Sequence, residues 1–243
     1  MNQSKSNQLD TWAFFDKIYC ISLESRPDRK EQAREQFAAV GLLPRVEFVI
    51  VAKHPVDQEK GIFESHMTCL KMGIEENANH ILIFEDDVFF QGFDSNVLHD
   101  ACSHLDYDSK WNALFLGCIT DGSKKDEKKN LAQITYRCLA HAYALNVHFA
   151  NHIVQQSWNG TPFDELLRRH NTEFYALYPM CAFQGLAGSD NQTVVIDRMR
   201  RIFGGLPFIQ KANEFYQNHK VVLLPLSLVV LISLVALLTN NLR

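Results

Sequence analysis

The stretch from Ile81 to Phe90, ILIFEDDVFF, limits most strongly what this chain can fold into. Four apolar residues end abruptly in Glu85, Asp86 and Asp87, and a second apolar run follows at once. A short apolar run of this kind is typical of a buried central strand. Because an unpaired buried carboxylate is costly, acids at the end of such a strand need a cation, hydrogen-bond donors or an opening to solvent.

These acids therefore predict a ligand site. Open α/β sheets bind ligands at the carboxyl ends of their strands, and a hard divalent cation takes oxygen ligands of the kind that clustered acids provide. The alternative is a strand followed by an acidic turn without function.

Composition narrows the class of protein. Hydrophobic residues make up 47% of the chain and charged residues 21%, which is typical of one large globular domain, alone or with an appendage. With 24 basic and 28 acidic residues, the chain offers no bulk attraction for nucleic acid. The six cysteines form no CxxC pair, so we expect free buried thiols and a reducing compartment. The polar N-terminus lacks the apolar core of a secretory signal.

The order of apolar runs predicts an α/β fold. A strand over Lys17–Leu23, a helix from Pro27 and a second strand over Arg45–Val51 form a βαβ unit, which favours a parallel sheet. Further helices are predicted over 62–78, 94–105, 148–158 and 163–169, and further strands over 111–117, 132–138, 140–146 and 173–178. The polar segment 121–130, DGSKKDEKKN, predicts an exposed mobile loop or, alternatively, a lid over a charged ligand.

The C-terminal run 221–238 predicts a membrane anchor. It comprises about 18 residues without charge, roughly 14 of them Val, Leu or Ile, which is near the minimum for a transmembrane helix. Basic residues precede it, so the positive-inside rule places the main domain on the cytoplasmic side. The segment 196–219 is expected to be a basic amphipathic membrane-proximal stretch. A buried core helix is the alternative for 221–238.

Six segments occur in an order that resembles a known family. They read IYCISLESRPDR from Ile18, GIFESHMTC from Gly61, FEDDV from Phe84, LAHAYALN from Leu139, PFDELL from Pro162, and LYPMCAFQ followed by SDNQ over 177–192. Over residues 17–192 this order resembles glycosyltransferase family 25, the group with bacterial lipooligosaccharide galactosyltransferases and collagen galactosyltransferase domains.

The resemblance implies an activity and a fold. It implies a GT-A-type nucleotide-diphospho-sugar transferase domain that inverts the anomeric centre and uses Mn²⁺ or Mg²⁺ with a UDP-sugar donor. The donor sugar would be a hexose, most often galactose, and the acceptor a glycan or lipid-linked saccharide, as in lipopolysaccharide biosynthesis. The predicted organisation is a flexible tail over 1–14, the transferase domain over 15–195, and the two membrane segments.

Site residues follow from the matched motifs. The metal would be held by Asp87 with Asp86, while Glu85 or Asp86 hydrogen-bonds the ribose or donor sugar. Other positions implied in donor binding are Ser22, Leu23, Arg26, Arg29, Ser65, His66 and Gln184. Asp164 is the leading candidate for general base, and Asp190 is the rival base or second metal ligand.

Several of these residues have a purely structural alternative. The two arginines could be solvated charges at a helix entry, and the histidine could be structural. A serine near a helix start is often a cap, and an aspartate in a first helical turn is favoured by the helix dipole.

Two other function classes remain open from the residues alone. A phosphohydrolase could use an Asp pair after a buried strand, with one Asp as nucleophile. A degenerate transferase fold could serve as a membrane-anchored scaffold. Loss of metal binding would favour the scaffold.

Overall fold

The computed structural model describes residues 11–107, 110–185 and 205–240, with side chains up to residue 225. The helices and strands are β1 (Lys17–Leu23), α1 (Pro27–Ala39), β2 (Val46–Val51), α2 (Gln58–Glu75), β3 (His80–Glu85), β4 (Val88–Phe90), α3 (Ser95–Tyr107), β5 (Ala113–Phe115), β6 (Ile119–Asp126), β7 (Leu131–Cys138), β8 (Ala142–Asn146), α4 (Val147–Ile153), α5 (Phe163–Arg169), β9 (Phe174–Leu177), β10 (Ala182–Gln184) and α6 (Gly205–Asn240).

A mixed sheet forms the centre of the fold. Eight strands lie in the order β2-β1-β3-β8-β5-β9-β7-β6, and β4 and β10 form a separate antiparallel pair. The pairs β1–β2, β1–β3 and β5–β9 are parallel, but β8 runs antiparallel between β3 and β5. The α/β class agrees with the sequence, whereas the expected parallel sheet does not, because apolar patterning reveals a buried strand but not its direction.

The packing of the central strand β3 on both faces explains why its sequence is apolar. Ile81 and Ile83 face a cluster formed with α2, α4 and α5, while Leu82 and Phe84 face a cluster formed with α1 and α3. All four side chains are completely buried. Because helices cover both faces of this part of the sheet, the strand carries no alternating polar residues. All six cysteines are free thiols, and five are buried.

The packed core begins earlier than the predicted boundary at residue 15. Trp12 and Phe15 are 2% and 0% exposed. The Trp12 ring stacks on Phe93 with 5.2 Å between centroids. The predicted flexible tail over 1–14 is therefore wrong for its last residues, because Trp12 has a buried aromatic partner. Residues 1–10 lie outside the described part.

The segment predicted as a mobile loop or lid forms a β-hairpin instead. Strands β6 and β7 pair antiparallel from Ile119–Cys138 to Asp126–Leu131. Strand β6 is the last strand of the sheet, and charged side chains such as its lysines oppose edge-to-edge association. The polar composition that predicted a loop is the composition of a protected edge strand.

The predicted transmembrane helix over 221–238 is wrong. Across the ranges that the structure describes, no helix is long and apolar enough to cross a membrane. The apolar run belongs to the 36-residue helix α6, which begins at Gly205 and contains Pro225. The first half of α6 packs on the domain through polar side chains, since Asn213 Nδ2 donates to Thr120 O at 2.9 Å and the backbone N–H of Met180 donates to Glu214. The predicted C-terminal membrane anchor is therefore wrong, and so is the localisation that was based on it.

The structure describes the segments around α6 only in part. Residues 186–204 lie outside the described residues, and with them the end of the predicted transferase domain and the start of the basic segment 196–219. Within 205–219 the helix is docked on β6 rather than free, since Asn218 accepts a hydrogen bond from Ser123 Oγ at 2.8 Å.

Candidate functional site

The acids of the FEDDV motif lie at the carboxyl end of the central strand. Strand β3 ends at Glu85, a turn holds Asp86 and Asp87, and β4 begins at Val88. Strand β1 ends beside it, with Ile21 in register with Glu85. The geometry places three carboxylates at one edge of the sheet, where α/β folds bind ligands.

The first contact to these acids comes from β1. Ser22, 1% exposed, donates its hydroxyl hydrogen to Asp86 Oδ2 at 2.8 Å. Ser22 is the residue after the one paired with Glu85, so the parallel register of β1 and β3 sets this contact. A neutral hydroxyl therefore orients one oxygen of Asp86.

The second contact comes from the start of α1. The Arg29 guanidinium places Nη2 at 2.5 Å from Asp87 Oδ2 and Nε at 3.2 Å from Asp86 Oδ1. Pro27 begins the helix, where its fixed backbone angle is compatible with the first turn. Arg29 is two residues further on and is largely buried. One guanidinium therefore faces two carboxylates.

The third contact comes from the distant strand β10. Gln184 Nε2 lies 3.2 Å from Asp87 Oδ2 and 3.4 Å from Glu85 Oε2. The antiparallel pairing of β10 with β4 puts Gln184 opposite Val88 and fixes this position. The backbone N–H of Gly185 also donates to Asp87 O at 2.7 Å.

His66 reaches the site from α2. Its Nε2 lies 3.4 Å from Glu85 Oε1, and its Nδ1 lies 3.0 Å from the Tyr143 hydroxyl. The imidazole stacks on Phe163 with 4.3 Å between centroids and 5° between planes. Burial lowers the pKa of His66 to about 4, so the ring is neutral at pH 7. A neutral ring with Nε2–H toward Glu85 can accept a hydrogen bond from Tyr143 at Nδ1.

Asp164 lies at the start of α5, and both its oxygens accept hydrogen bonds. Oδ1 accepts from the Tyr136 hydroxyl at 2.5 Å and from Ala140 N at 3.0 Å, and Oδ2 accepts from Leu139 N at 3.1 Å. Its charge acts on Glu85 and on His66. Asp164 thus belongs to the same site, and it also fixes the turn before β8.

The acidic cluster is electrostatically crowded. Desolvation, followed by repulsion from Asp164, raises the pKa of Glu85 to about 8. Desolvation, followed by repulsion from Glu85, raises the pKa of Asp87 to about 7. The Arg29 guanidinium opposes both shifts without cancelling them. Without a further cation, Glu85 and Asp87 therefore hold protons at a higher pH than ordinary carboxyl groups, because Arg29 does not offset burial and mutual repulsion.

At the acidic site, two buried polar atoms of opposite character have no hydrogen-bond partner within the described structure. They are the Arg29 Nε–H donor, which is close to Asp86 but outside hydrogen-bonding geometry, and the Asp87 Oδ1 acceptor. Buried polar groups are usually paired, and an unpaired one calls for an explanation such as an ion or ligand. Arg29 needs an acceptor here, and Asp87 needs a cation or donor.

Among the described residues, protein side chains alone do not form a metal site. In the described ranges, no three His, Cys, Asp or Glu side chains are grouped so as to hold a metal ion. Mg²⁺ is usually held by one or two carboxylates together with substrate phosphates rather than by a cage of protein ligands. The free Asp87 Oδ1 beside Asp86 fits this second arrangement.

Not every predicted residue comes to the site. Arg26 pairs with Asp28 through its Nη2 at 2.9 Å on the outer face of α1. Ser65 Oγ donates to Gly61 O one turn back in its own helix. Leu23 ends β1 opposite Val51. Asp190, the rival base, lies outside the described residues.

Sequence reasoning missed the aromatic support of the site. Tyr143, Tyr136 and Phe163 are completely or almost completely buried and hold His66 and Asp164 in place. A signal existed for Tyr143, which falls within the LAHAYALN segment that the family motif matches. None existed for Tyr136, because its partner Asp164 is 28 residues away.

Comparison with protein families confirms the resemblance seen in the sequence. Residues 51–167 match the family described as Glycosyltransferase family 25 (LPS biosynthesis protein). This range includes the Ser-His segment, the acidic motif and Asp164, while the first motif and the last one lie outside it. No curated protein matches the chain.

Solved structures resemble the chain only remotely. A glycosyltransferase involved in glycosylation of the major capsid of PBCV-1 is 12% identical, covering 66% of this chain and 81% of that one, with a TM-score of 0.40. UDP-glucose pyrophosphorylase in complex with UDP-glucose is also 12% identical, covering 66% and 72%, with a TM-score of 0.40. Mannose-1-phosphate geranyltransferase from Thermus thermophilus is 7% identical, covering 66% and 73%, with the same TM-score of 0.40. At these TM-scores and identities, the similarities do not indicate a function for the chain.

Proposed function

We propose that this glycosyltransferase, whose residues 51–167 match family 25, transfers a hexose from a UDP-sugar to a hydroxyl of a saccharide or lipid-linked acceptor, with inversion and with a divalent cation. Galactose is the proposed sugar because it is the commonest donor sugar of the family that the sequence resembles. The observation that carries the proposal is the pair of unpaired buried atoms, Arg29 Nε–H and Asp87 Oδ1, in one acidic site.

A nucleoside diphosphate with its metal supplies what both atoms lack. A phosphate oxygen can accept from the Arg29 guanidinium, which matches phosphate geometry well. A divalent cation can take Asp87 Oδ1 as ligand, with Asp86 as the second carboxylate and the diphosphate completing the set. Such a cation neutralises the charge that develops on the departing diphosphate.

The remaining contacts favour binding of the donor's hydroxyl groups. Glu85 is partly exposed and is held from two sides by His66 Nε2 and Gln184 Nε2. A carboxylate fixed in this way is suited to accept hydrogen bonds from a sugar or ribose. Ser22 gives Asp86 the same kind of orientation.

The base that takes the proton of the acceptor hydroxyl is a choice between Asp164 and Asp190. Asp164 lies close enough to Glu85 to influence its charge, which supports a place near the reacting atoms. Its three hydrogen bonds commit part of its capacity to Tyr136, Leu139 and Ala140. Because Asp164 lies near Glu85, we propose it as the general base, with Asp190 as the alternative.

Calorimetry on the full-length chain tests the proposal. UDP-galactose, UDP-glucose and UDP-N-acetylglucosamine are titrated with and without Mn²⁺ into the wild type and into Asp87→Asn. The control is Asp28→Asn, which removes an exposed carboxylate of similar type. We expect Mn²⁺-dependent binding of one donor, lost in Asp87→Asn and kept in Asp28→Asn.

The opposite outcome separates the two function classes. If the folded wild type and Asp87→Asn bind no nucleotide sugar under any condition, the transferase activity is refuted and the scaffold alternative is favoured. A Mn²⁺-dependent release of UDP that requires an added saccharide would extend the binding result to catalysis.

A further inference from the structure

Arg29 is an unusual partner for the two aspartates, because it is the one guanidinium in contact with them among the described ion pairs and its Nε–H stays unpaired. A guanidinium that only stabilised the fold would be expected to form two parallel hydrogen bonds with one carboxylate. Here the guanidinium contacts one oxygen of Asp86 and one oxygen of Asp87, and it forms two parallel hydrogen bonds with neither carboxylate.

Resting on the proposed function, we propose that Arg29 is an exchangeable counter-cation. It holds Asp86 and Asp87 while the site contains no metal. When donor and metal bind, the guanidinium would turn to the donor's diphosphate, and Asp87 would then hold the metal.

The charges make this exchange necessary. A guanidinium cannot lose its proton in a protein, so Arg29 remains positive throughout. A divalent cation on Asp87 Oδ1 would stand close to the Arg29 Nη2 that lies 2.5 Å from Asp87 Oδ2. In a site screened from water, two such cations repel one another strongly. The diphosphate offers the guanidinium a new partner nearby.

Two uncharged hydrogen-bond donors, the Ser22 hydroxyl and the Gln184 amide, make the exchange possible. After Arg29 leaves, Asp86 keeps the Ser22 hydroxyl at 2.8 Å and Asp87 keeps the Gln184 amide at 3.2 Å. Both carboxylates therefore stay oriented for the arriving metal. The side chain of Arg29 is long, and its helix is anchored by Phe37 and Ala33, which are both completely buried.

The test measures Mn²⁺ binding, by electron paramagnetic resonance of free Mn²⁺, with and without UDP. The variants are Arg29→Gln and, on the exposed face of the same helix, the matched control Arg34→Gln. We expect Arg29→Gln to tighten Mn²⁺ binding without UDP at least threefold. In wild type and in Arg34→Gln, UDP should increase the affinity for Mn²⁺. In Arg29→Gln this increase should be at least threefold smaller.

A second readout does not depend on nucleotide. In EDTA, Arg29→Gln should have a lower Tm than wild type, because two buried carboxylates lose their cation. Mn²⁺ should raise its Tm more than it raises that of wild type. If Arg29→Gln does not fold, Arg29→Met replaces it in both measurements, since it also removes the charge and keeps a long, adaptable side chain.

The outcomes distinguish this proposal from the proposed function. Unchanged or weaker Mn²⁺ binding in the Arg29 variant, with normal donor binding in wild type, overturns the exchange and leaves the transferase assignment intact. Absence of both Mn²⁺ and UDP-sugar binding in wild type and in the variant overturns both.

Discussion

Gln184 Nε2 lies 3.2 Å from Asp87 Oδ2, although 97 residues separate the two along the sequence. The same nitrogen lies 3.4 Å from Glu85 Oε2, so one neutral amide bridges two acids of the candidate site. The amide supplies hydrogen bonds without adding charge. It therefore limits the repulsion between the carboxylates while leaving room for a cation.

Gln184→Glu should destabilise the metal-free protein. The substitution keeps the size of the side chain but replaces a hydrogen-bond donor by a further acid, at a cost of about 1–3 kcal/mol in the free energy of unfolding. We expect Mn²⁺ to restore most of this loss, measured by urea denaturation in EDTA and in Mn²⁺. The control is Gln133→Glu, whose amide also faces a glutamate, Glu173, but in solvent. Equal losses in the two variants would contradict a buried bridging role.

Asp164→Asn tests how much Asp164 contributes to the free energy of unfolding. Three donors meet its two oxygens, so an amide nitrogen in place of one oxygen leaves an N–H or hydroxyl without a partner. We expect a loss of about 1–3 kcal/mol in the free energy of unfolding. Glu165→Gln, in the next position but paired with Arg168 and Arg169 at the surface, should change stability much less.

The same variant tests the role of Asp164 as base. Measured well below its Tm, Asp164→Asn should lower kcat by roughly 10²–10⁴. A stable variant that keeps most of its kcat would assign the base to another residue, with Asp190 the first to test.

Gly117→Ala should disturb the site through β10. A Cβ at Gly117 would lie 1.7 Å from Ala182 O and 2.6 Å from Gln210 Nε2, so the backbone must move. Because Ala182 begins the strand that ends in Gln184, we expect both a lower Tm and weaker donor binding. In the control Gly122→Ala, the nearest atom is the side-chain Oγ1 of Thr135 at 3.1 Å, and the loss of Tm should be smaller. A Gly117→Ala protein with wild-type Tm would contradict this tight approach.

The sequence was sufficient to predict the central strand and its acids. An apolar run ending in Glu85, Asp86 and Asp87 has few other interpretations. Ser22 lies near the end of the neighbouring strand β1, and Arg29 lies at the start of the helix that follows it. Local patterning predicts each of these elements, but the contact between Ser22 and Asp86, 64 residues apart, depends on the pairing of β1 with β3.

The rest of the site depends on pairing that no local pattern reveals. Gln184 reaches the acids because β10 pairs with β4, and His66 finds Tyr143, 77 residues away, because β8 enters between β3 and β5. The family motif indicated these segments but not their contacts.

The two largest errors also have a common cause. The polar segment 121–130 and the apolar run 221–238 were interpreted from composition alone. In the structure the first is part of an edge hairpin, and the second continues a helix whose polar half contacts that hairpin, as the bond from Ser123 Oγ to Asn218 shows. In both segments, composition alone did not reveal the regular structure that the residues form.

His141 should make stability depend on pH below neutrality. It is completely buried, and neither ring nitrogen has a hydrogen-bond partner in the described structure. Burial lowers the pKa of His141 to about 4, against a smaller opposing effect of the Ala182 and Leu139 backbone. An unfolded histidine titrates near 6.5, so between about pH 4 and 6.5 the unfolded chain binds a proton that the folded chain does not.

The stabilisation from His141 is therefore complete above about pH 6.5 and is lost as pH falls toward 4, with a slope of about 1.4 kcal/mol per pH unit from this group. In His141→Phe, urea denaturation between about pH 4.5 and 7.5 should give a slope shallower by that amount. Parallel curves for wild type and His141→Phe would mean that the buried imidazole titrates normally.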